Sequence, residues 1–599
     1  MFPVRLRVLA AAAAIGLGAA GLTACAGSGS QTENSTAKSD VAIVPVLGGT
    51  ADDIFPIVTG AQVTPFNEQD FQNQMWVPVL SYGGDASDGF GYDPEDSLAN
   101  QPMYSDGDKV VTLTLKHFNW SDGKPVTSRD VSFFYNLYVA DKTYSGFYTP
   151  GEFPDNVKSF STPNADTIRL TLTKAFNPTW YSTNELTDLM AFPQQAWDKT
   201  SVGNYDETHA GAVKVFSYLV GQSHSVNTYA SNPLWQVVDG PFRLKTFSTR
   251  GDIDLVPNPH YSGTPKPTIK ELVERPFTSD TTQFNSLLAG TGLAYGFVPT
   301  QDNKEVSALE RLGYRAFKPD LYAINYIVIN FNSPSAGPLF RQLYIRQALQ
   351  HLVNQPQDVK YAYNGDATPT YGPVPLAPSS PYVTSYEKSN PYPFSVPAAE
   401  SLLRSHGWTV HPGGTDTCTK PGTAAGECGA GIKAGKALSF RVVYANGDED
   451  YSVMMQAFQS AARSAGVAVN LSEGEFNEIT GITGVCKTGT SACNWDGVMY
   501  GGTTELVYPT GNGFFNTGAN GQGNYSSAEA DKLINETEYS PSSAPFDQYE
   551  NYIAQQLPMI WMPWQQPGYE VVLKNLKGFT DDQDNPFQDT FPQNWSFSG

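Results

Sequence analysis

Three short patterns in this chain could carry nucleophilic chemistry. Ser121-Asp122-Gly123-Lys124 sets an amine three residues after a hydroxyl. Ser182-Thr183-Asn184 and Lys487-Thr488-Gly489 follow it, in the order a serine acyl-transfer site would use them. That chemistry needs its serine at the opening of a helix, so that the lysine one turn later can take the proton. Here Ser121 sits in a Trp-Ser-Asp-Gly turn, and Lys487 lies in a small loop between two cysteines. No H-E-x-x-H, G-x-S-x-G or Walker loop occurs. The seven histidines are scattered; the closest two, His406 and His411, flank a helix end and a Pro-Gly-Gly loop and read as solvated. Of the five cysteines, four stand in close pairs, Cys418 with Cys428 and Cys486 with Cys493, and no histidine lies between either two. Metal binding is therefore not expected there.

The elements that would position these residues alternate short strands with helices. Strands are expected at 108–117, at 167–173, twice within 242–256 around a Ser-Thr-Arg-Gly turn, and at 326–331 as a buried run. Ile345, Ala348, Leu349, Leu352 and Val353 form one apolar helical stripe. Helices are also expected at 127–142, from a Ser395 cap to Gly407, and along the face Met454, Phe458, Ala461, Ala462 and Ala465. With strands at 438–444, 467–471 and 497–500, the stretch 438–500 is a β-α-β unit plus a strand. It implies a mostly parallel sheet whose ligand crevice lies beyond the strand carboxyl ends. Trp495, Trp561 and Trp564 read as core or hinge packing.

The first 25 residues fix the compartment. Arg5 and Arg7 precede an apolar run from Val8 to Thr23, which ends Leu22-Thr23-Ala24-Cys25. A charged start, an apolar middle and a small-residue cleavage site make an export signal, too short to span a membrane comfortably. A cysteine at the cleavage point resembles a bacterial lipoprotein signal, which implies that residues 1–24 are removed and Cys25 is lipidated. Residues 25–40 are small and polar and read as a flexible tether. Export permits oxidation, and loop closure favours the local bridges Cys418–Cys428 and Cys486–Cys493 among the three possible connectivities. Both are expected to staple surface loops. Without residues 1–24 the chain carries 37 − 2 = 35 Lys and Arg against 59 Asp and Glu, a net charge of −24. That balance argues against nucleic acid and against a hold on anionic lipid other than an acyl anchor. A length of 599 residues calls for more than one core, and an aromatic content of 13% suits broad, semi-polar recognition surfaces.

Five segments in register resemble one family. Residues 118–131 (FNWSDGKPVTSRDV) look like a W-S-D-G-x-P-V-T strand–turn–helix motif. Gly240-Pro241-Phe242 followed by Asn258-Pro259-His260-Tyr261 looks like G-P-Y … N-P-x-Y. Asn330, Phe340-Arg341 and Ile345-Arg346-Gln347-Ala348-Leu349 form a third, Ala399–Trp408 a fourth, and Asn524-Tyr525-Ser526 with Asp531 and Leu533 a fifth. On these the chain is identified as a member of the peptide/nickel-type solute-binding proteins of ABC importers.

The resemblance implies an α/β, two-lobed periplasmic-binding-protein-like fold of type II, with an extra domain inserted in the first lobe. Carried over, the first lobe is 41–85, 240–322 and 563–599, the inserted domain 86–239, and the second lobe 323–562. It implies a receptor without enzymatic activity or cofactor, expected as a monomer. It would take an oligopeptide into the interlobe cleft and deliver it to permease and ATPase subunits. A non-peptide solute (sugar, metal chelate or haem-like molecule) is the alternative, and a secreted penicillin-binding-type acyl-enzyme a more distant one. Peptide-binding relatives hold the ligand's amino group with an Asp after a second-lobe strand. Counting back from Pro509 puts Glu505 at that place, with Glu505-Leu506 where the relatives have Asp-Tyr, and Gly502 where they have an aromatic. The strand end Tyr500, Gly501, Gly502 and Thr503 is expected to offer backbone partners, and Val58, Thr59 and Gly60 to line the opposite wall.

Overall fold

The computed structural model describes residues 40–598 except 48–49, 60–61, 63–66, 68–70, 84–89, 200–206, 278, 319–320, 447–448, 475, 505–507, 519–521, 541, 566–567 and 581–590. The expected signal, Cys25, the tether to residue 39, Gly60 and Glu505 lie outside the described residues.

A first hydrophobic core runs from Ala42 to Trp595 and a second from Ile324 to Met562. Under the first lies a four-stranded sheet in the order Val41–Leu47, Glu271–Phe277, Ile253–Pro257, Phe242–Phe247. Its first pair is parallel and the others antiparallel. The chain returns late to this side: Glu570–Leu573 slots between Tyr295–Phe297 and Tyr314–Phe317. A separate antiparallel sheet, Met103–Ser105, Val110–Thr114, Thr167–Leu172 and Val157–Asn164, carries the helix Ser128–Ala140. Thr127 and Asp130 close that helix's first turn as a capping box, and Val131, Phe134 and Leu137 face the core.

The second core surrounds the strand Ala323–Ile329, all seven residues of which are buried, as expected of a central strand covered on both faces. It pairs with Gly497–Met499, Thr503–Thr504 and Met559–Met562, in each case antiparallel. Ser439–Ala445 lies parallel to both Ala468–Gly474 and Gly497–Met499. Five of these six strands therefore run one way, in line with the β-α-β reading. Ala323–Ile329 alone opposes them, because it enters from the first core and lies in the middle of the sheet.

The apolar stripe at 345–353 lies on the helix Leu343–Gln350 and continues into the buried Leu352 and Val353 just past its end. It packs against the helix Val396–Ser405, which Ser395 caps through Ala398 N–H. Arg346 is buried on this helix, and among the described residues its hydrogen-bond partners include no carboxylate. Its Nε donates to the Gln556 carbonyl at 2.8 Å, its Nη1 donates to the Phe340 carbonyl at 2.6 Å, and its guanidinium lies 5.4 Å from the Phe331 ring centre. Burial lowers its pKa to about 10, so it stays charged at neutral pH. Arg346→Met leaves two buried carbonyls unpaired and is expected to cost about 2–4 kcal/mol in urea unfolding. Arg346→Lys should rescue little, since a point ammonium cannot fork between both acceptors.

Both local disulfides are formed, Cys418–Cys428 and Cys486–Cys493. The loop residues between the first pair are largely exposed, as expected of surface loops, but all four cysteines are buried beneath them. Tyr344 Oη donates to the Cys428 carbonyl, and Asn330 Nδ2 donates to those of Cys493 and Trp495. The bridges thus tie loops to the second core, a contact that cysteine spacing does not encode.

Candidate functional site

The carboxyl ends of the parallel strands Ser439–Ala445 and Gly497–Met499 point toward one edge of the second core, where the helix Glu449–Ser464 begins. There the chain leaves its regular ladder. Val498 faces Val328 and Thr503 faces Ile324, so five steps on one strand match four on the other. The extra residue makes a β-bulge at 500–502. Gly501 and Gly502 turn it with φ of +105° and +82°, in the region only glycine enters freely. A Cβ on Gly501 would meet the hydroxyl of Tyr451, and one on Gly502 the backbone of Ile324 and Asn325. Tyr500 is buried with its ring edge-on to Tyr326, 6.2 Å between centres. Thr503 is half-buried. The four strand-end residues, consecutive in the chain, thus make up the bulge.

On the first-core side, Val58 is fully buried and its carbonyl accepts from Gly146 N–H at 2.9 Å. Thr59 is half-buried; its hydroxyl donates to Gln62 Oε1 and its carbonyl accepts from Gln62 N–H. Any partnership of Val58 with a ligand would therefore fall to its neighbours' backbone rather than to its own side chain.

Among the described residues, two of the places where the two sides meet are knit by several hydrogen bonds. Near the crossing strands, Asp366 accepts from Asn303 and Lys318, and Gln565 Nε2 donates to Thr300 and Asp450. Trp564 pairs there with Thr368, in keeping with the hinge reading, while Trp495 and Trp561 are buried in the second core. The other meeting place joins residues 152–185 to 508–539. Asn177 N–H donates to the Glu538 carbonyl at 2.6 Å, and Asn177 Nδ2 donates to the Thr537 carbonyl at 3.3 Å. Asn184 Nδ2 donates to the Tyr508 carbonyl, Asn512 Nδ2 donates to Glu152 Oε1, and Phe176 packs on Tyr539. Burial, reinforced by Glu538 and Asp188, pushes the Glu152 carboxyl up to about 7; burial alone is the main cause for Glu538, also up to about 7. Nothing in the sequence pattern singles out these acids, which come from segments about 350 residues apart.

The acyl-transfer residues are not assembled. Ser121 Oγ donates to the Gln236 carbonyl, Lys124 lies beside Asp122 in solvent, and Ser182 bonds Tyr104. Among the described residues no group of three or more His, Cys, Asp or Glu is placed to hold a metal ion, and no helix is long and apolar enough to cross a membrane.

Residues 93–542 match the family described as bacterial extracellular solute-binding proteins, family 5 Middle. A Brucella ovis chain named for ABC-transporter peptide binding is 26% identical over 317 residues, 52% of this chain and 51% of its own. The match thus spans about half the length of that relative. The oligopeptide-binding protein OppA of Lactococcus lactis subsp. cremoris is 24% identical over 73% of this chain and 70% of its own. Among solved structures, the oligopeptide-binding protein AppA of Bacillus subtilis, in complex with a nonapeptide, superposes with a TM-score of 0.67 at 18% identity. It covers 94% of this chain and 100% of its own. NikZ of Campylobacter jejuni, in complex with Ni(L-His), gives 0.66 at 17%, over 93% and 99%. These superpositions show the type II periplasmic-binding fold. A match over three quarters of its length makes this chain a member of family 5 of the bacterial extracellular solute-binding proteins, receptors that are not enzymes.

Proposed function

We propose that this protein is a lipid-anchored receptor that takes an oligopeptide into a cleft between two lobes and delivers it to an ABC permease driven by ATPase subunits. The lobes are those expected above: 41–85, 240–322 and 563–599 against 323–562, with 86–239 inserted in the first, and the receptor acts as a monomer. The observation that carries the reading is the bulge at Tyr500–Thr503. It lifts backbone out of the ladder where a parallel sheet presents its ligand crevice, the arrangement an extended peptide pairs with. Relatives named for peptide and oligopeptide binding support the same class of solute. Gly501, Gly502 and Thr503 supply backbone to the ligand, Thr59 and Gly60 serve as its opposite wall, and Glu505 holds its amino group.

Calorimetry with free and N-acetylated peptides tests this. Glu505→Gln is expected to weaken binding of the free-amine peptide by about 1.5–3 kcal/mol, the range for a hydrogen bond to a charged group. Acetylation should do likewise, and the two together should be less than additive. Equal affinity for wild type and variant would make Glu505 an ordinary loop acid. The anchor is read separately: a fatty-acid probe should label the wild type and spare Cys25→Ser.

A second reading keeps the fold and changes the solute. NikZ, solved with a nickel–histidine complex, superposes as well as the peptide-loaded AppA, and Glu505-Leu506 stands where peptide binders carry Asp-Tyr. Native mass spectrometry of protein purified from its own host separates the two by the mass that it retains.

A further inference from the structure

The contact between residues 152–185 and 508–539 contains more acid than its hydrogen bonds require. Glu152, Glu185, Asp188 and Glu538 are all buried there. Glu185 lies deepest: its Oε2 accepts from Phe153 N–H at 2.6 Å and Asn156 Nδ2 at 2.9 Å, so it fixes the loop that carries Glu152. Glu152 reaches across to Asn512, and Glu538 lies on the far side, next to the carbonyl that Asn177 N–H grips. One cation stands against this group among the described residues: Lys174, 3.9 Å over the Tyr539 ring and close enough to lower Glu538. The phenols of Tyr138 and Tyr539 face the same acids and are themselves pushed upward by burial and by the carboxylates.

Consider this contact opening. Glu152 and Glu538 pass from a dry, like-charged surrounding into water, where their carboxyls ionise freely, whereas Asn177, Asn184 and Asn512 exchange their partners for water at little net loss. The bonds from Asn177 and Asn184 to carbonyls hold in either protonation state, so the cost of burying the ionised carboxyls decides the balance. We infer that this contact is a pH-sensitive clasp between the two sides of the cleft, shut while Glu152 and Glu538 carry protons and released as they ionise.

The sign follows from linkage. A carboxyl with a pKa of about 7 when shut and an ordinary one when open binds its proton more tightly in the shut form. Lowering the pH therefore favours the shut form, with the change centred between those two values. Such a receptor would hold its ligand more firmly at an acidified cell surface than at an alkaline one. The inference rests on the cleft reading for what the clasp encloses, and its test needs no ligand.

Spin labels on the exposed positions Lys158→Cys and Lys532→Cys, in a Cys25→Ser chain with both disulfides intact, report the span across the contact. At pH 5.5 one short distance is expected. By pH 8.5 a longer one should grow in, with the ratio of the two changing on the order of tenfold. Glu152→Gln with Glu538→Gln should keep the short distance at both pH values, with less than a twofold change. Glu538→Gln alone should narrow the pH response, which covers the case in which the double variant does not fold. An identical distance distribution at both pH values in the wild type, or an undiminished response in the Gln variants, overturns the clasp. Failure of the peptide reading would show differently: no peptide bound at any pH, with the distance response intact.

Discussion

Gly502→Ala is expected to cost about 2–4 kcal/mol of stability and to weaken ligand binding at least tenfold, while Gly501→Ala costs about 1 kcal/mol. Both residues have positive φ, so any side chain there is strained. The difference lies in what the added methyl meets. At Gly501 it meets the hydroxyl end of Tyr451, a side chain on the helix Glu449–Ser464 that can swing aside. At Gly502 it runs into the carbonyl oxygen of Ile324 and Cα of Asn325. Those atoms belong to the central strand, which pairs with Met559–Met562 as well and is buried throughout, so it cannot retreat. The bulge must move instead, carrying with it the backbone at Tyr500–Thr503. Urea unfolding of the two variants, with calorimetry on whichever ligand the protein retains, gives the comparison; equal losses at the two positions would mean that the bulge is not held by the central strand.

The same pair shows where sequence reading reaches and where it stops. Two adjacent glycines after an apolar strand are visible in the sequence as a strand end. Which of the two is sterically obligatory depends on a strand some 175 residues away. Gly240 is similar: in the sequence it belongs to a Gly-Pro-Phe motif, and in the fold an added Cβ would strike the backbone of Gln74 and Met75. Elements whose burial repeats locally were legible. The buried run expected at 326–331 is the strand Ala323–Ile329, shifted by two to three residues, while Leu343–Gln350 and Val396–Ser405 read as amphipathic helices and Thr127–Asp130 as a polar helix start, because each pattern lies within a short stretch of chain. The contact between 152–185 and 508–539 was not legible. Its members carry no period, and a glutamate bound for burial looks like any solvated one. The direction of Ala323–Ile329 escaped for a related reason: a β-α-β pattern constrains the strands inside it and says nothing about one that arrives from another core.

Stability is expected to fall as the pH rises from about 5 to 8.5, and Glu387→Gln should remove a good part of that fall. Thr384-Ser385-Tyr386-Glu387 is a capping box: Glu387 Oε2 accepts from Thr384 N–H at 2.9 Å and from its hydroxyl at 3.0 Å. Most capping glutamates lie in water. This one is completely buried, packed against Gly372 and beside the equally buried Glu550 of the helix Ala544–Gln556. Burial pushes its pKa up to about 7, against the lowering by Thr384 and by a hydrogen bond with Glu550. The folded chain thus binds this proton more tightly than the unfolded one, whose glutamate titrates near 4.5. The contribution is fully present below the unfolded value and is lost as the pH climbs through the folded one. For this residue it amounts to about 3 kcal/mol at most. Asp358, raised by burial to about 7, acts in the same direction and window. In Glu387→Gln the amide oxygen can still accept from Thr384 while the amide nitrogen donates to Glu550, so the cap survives without a titrating proton. Thermal unfolding at pH 5 and pH 8.5 should show the variant level with or below the wild type at the lower pH and above it at the higher. Parallel pH profiles would mean that Glu387 does not carry the proton behind the fall.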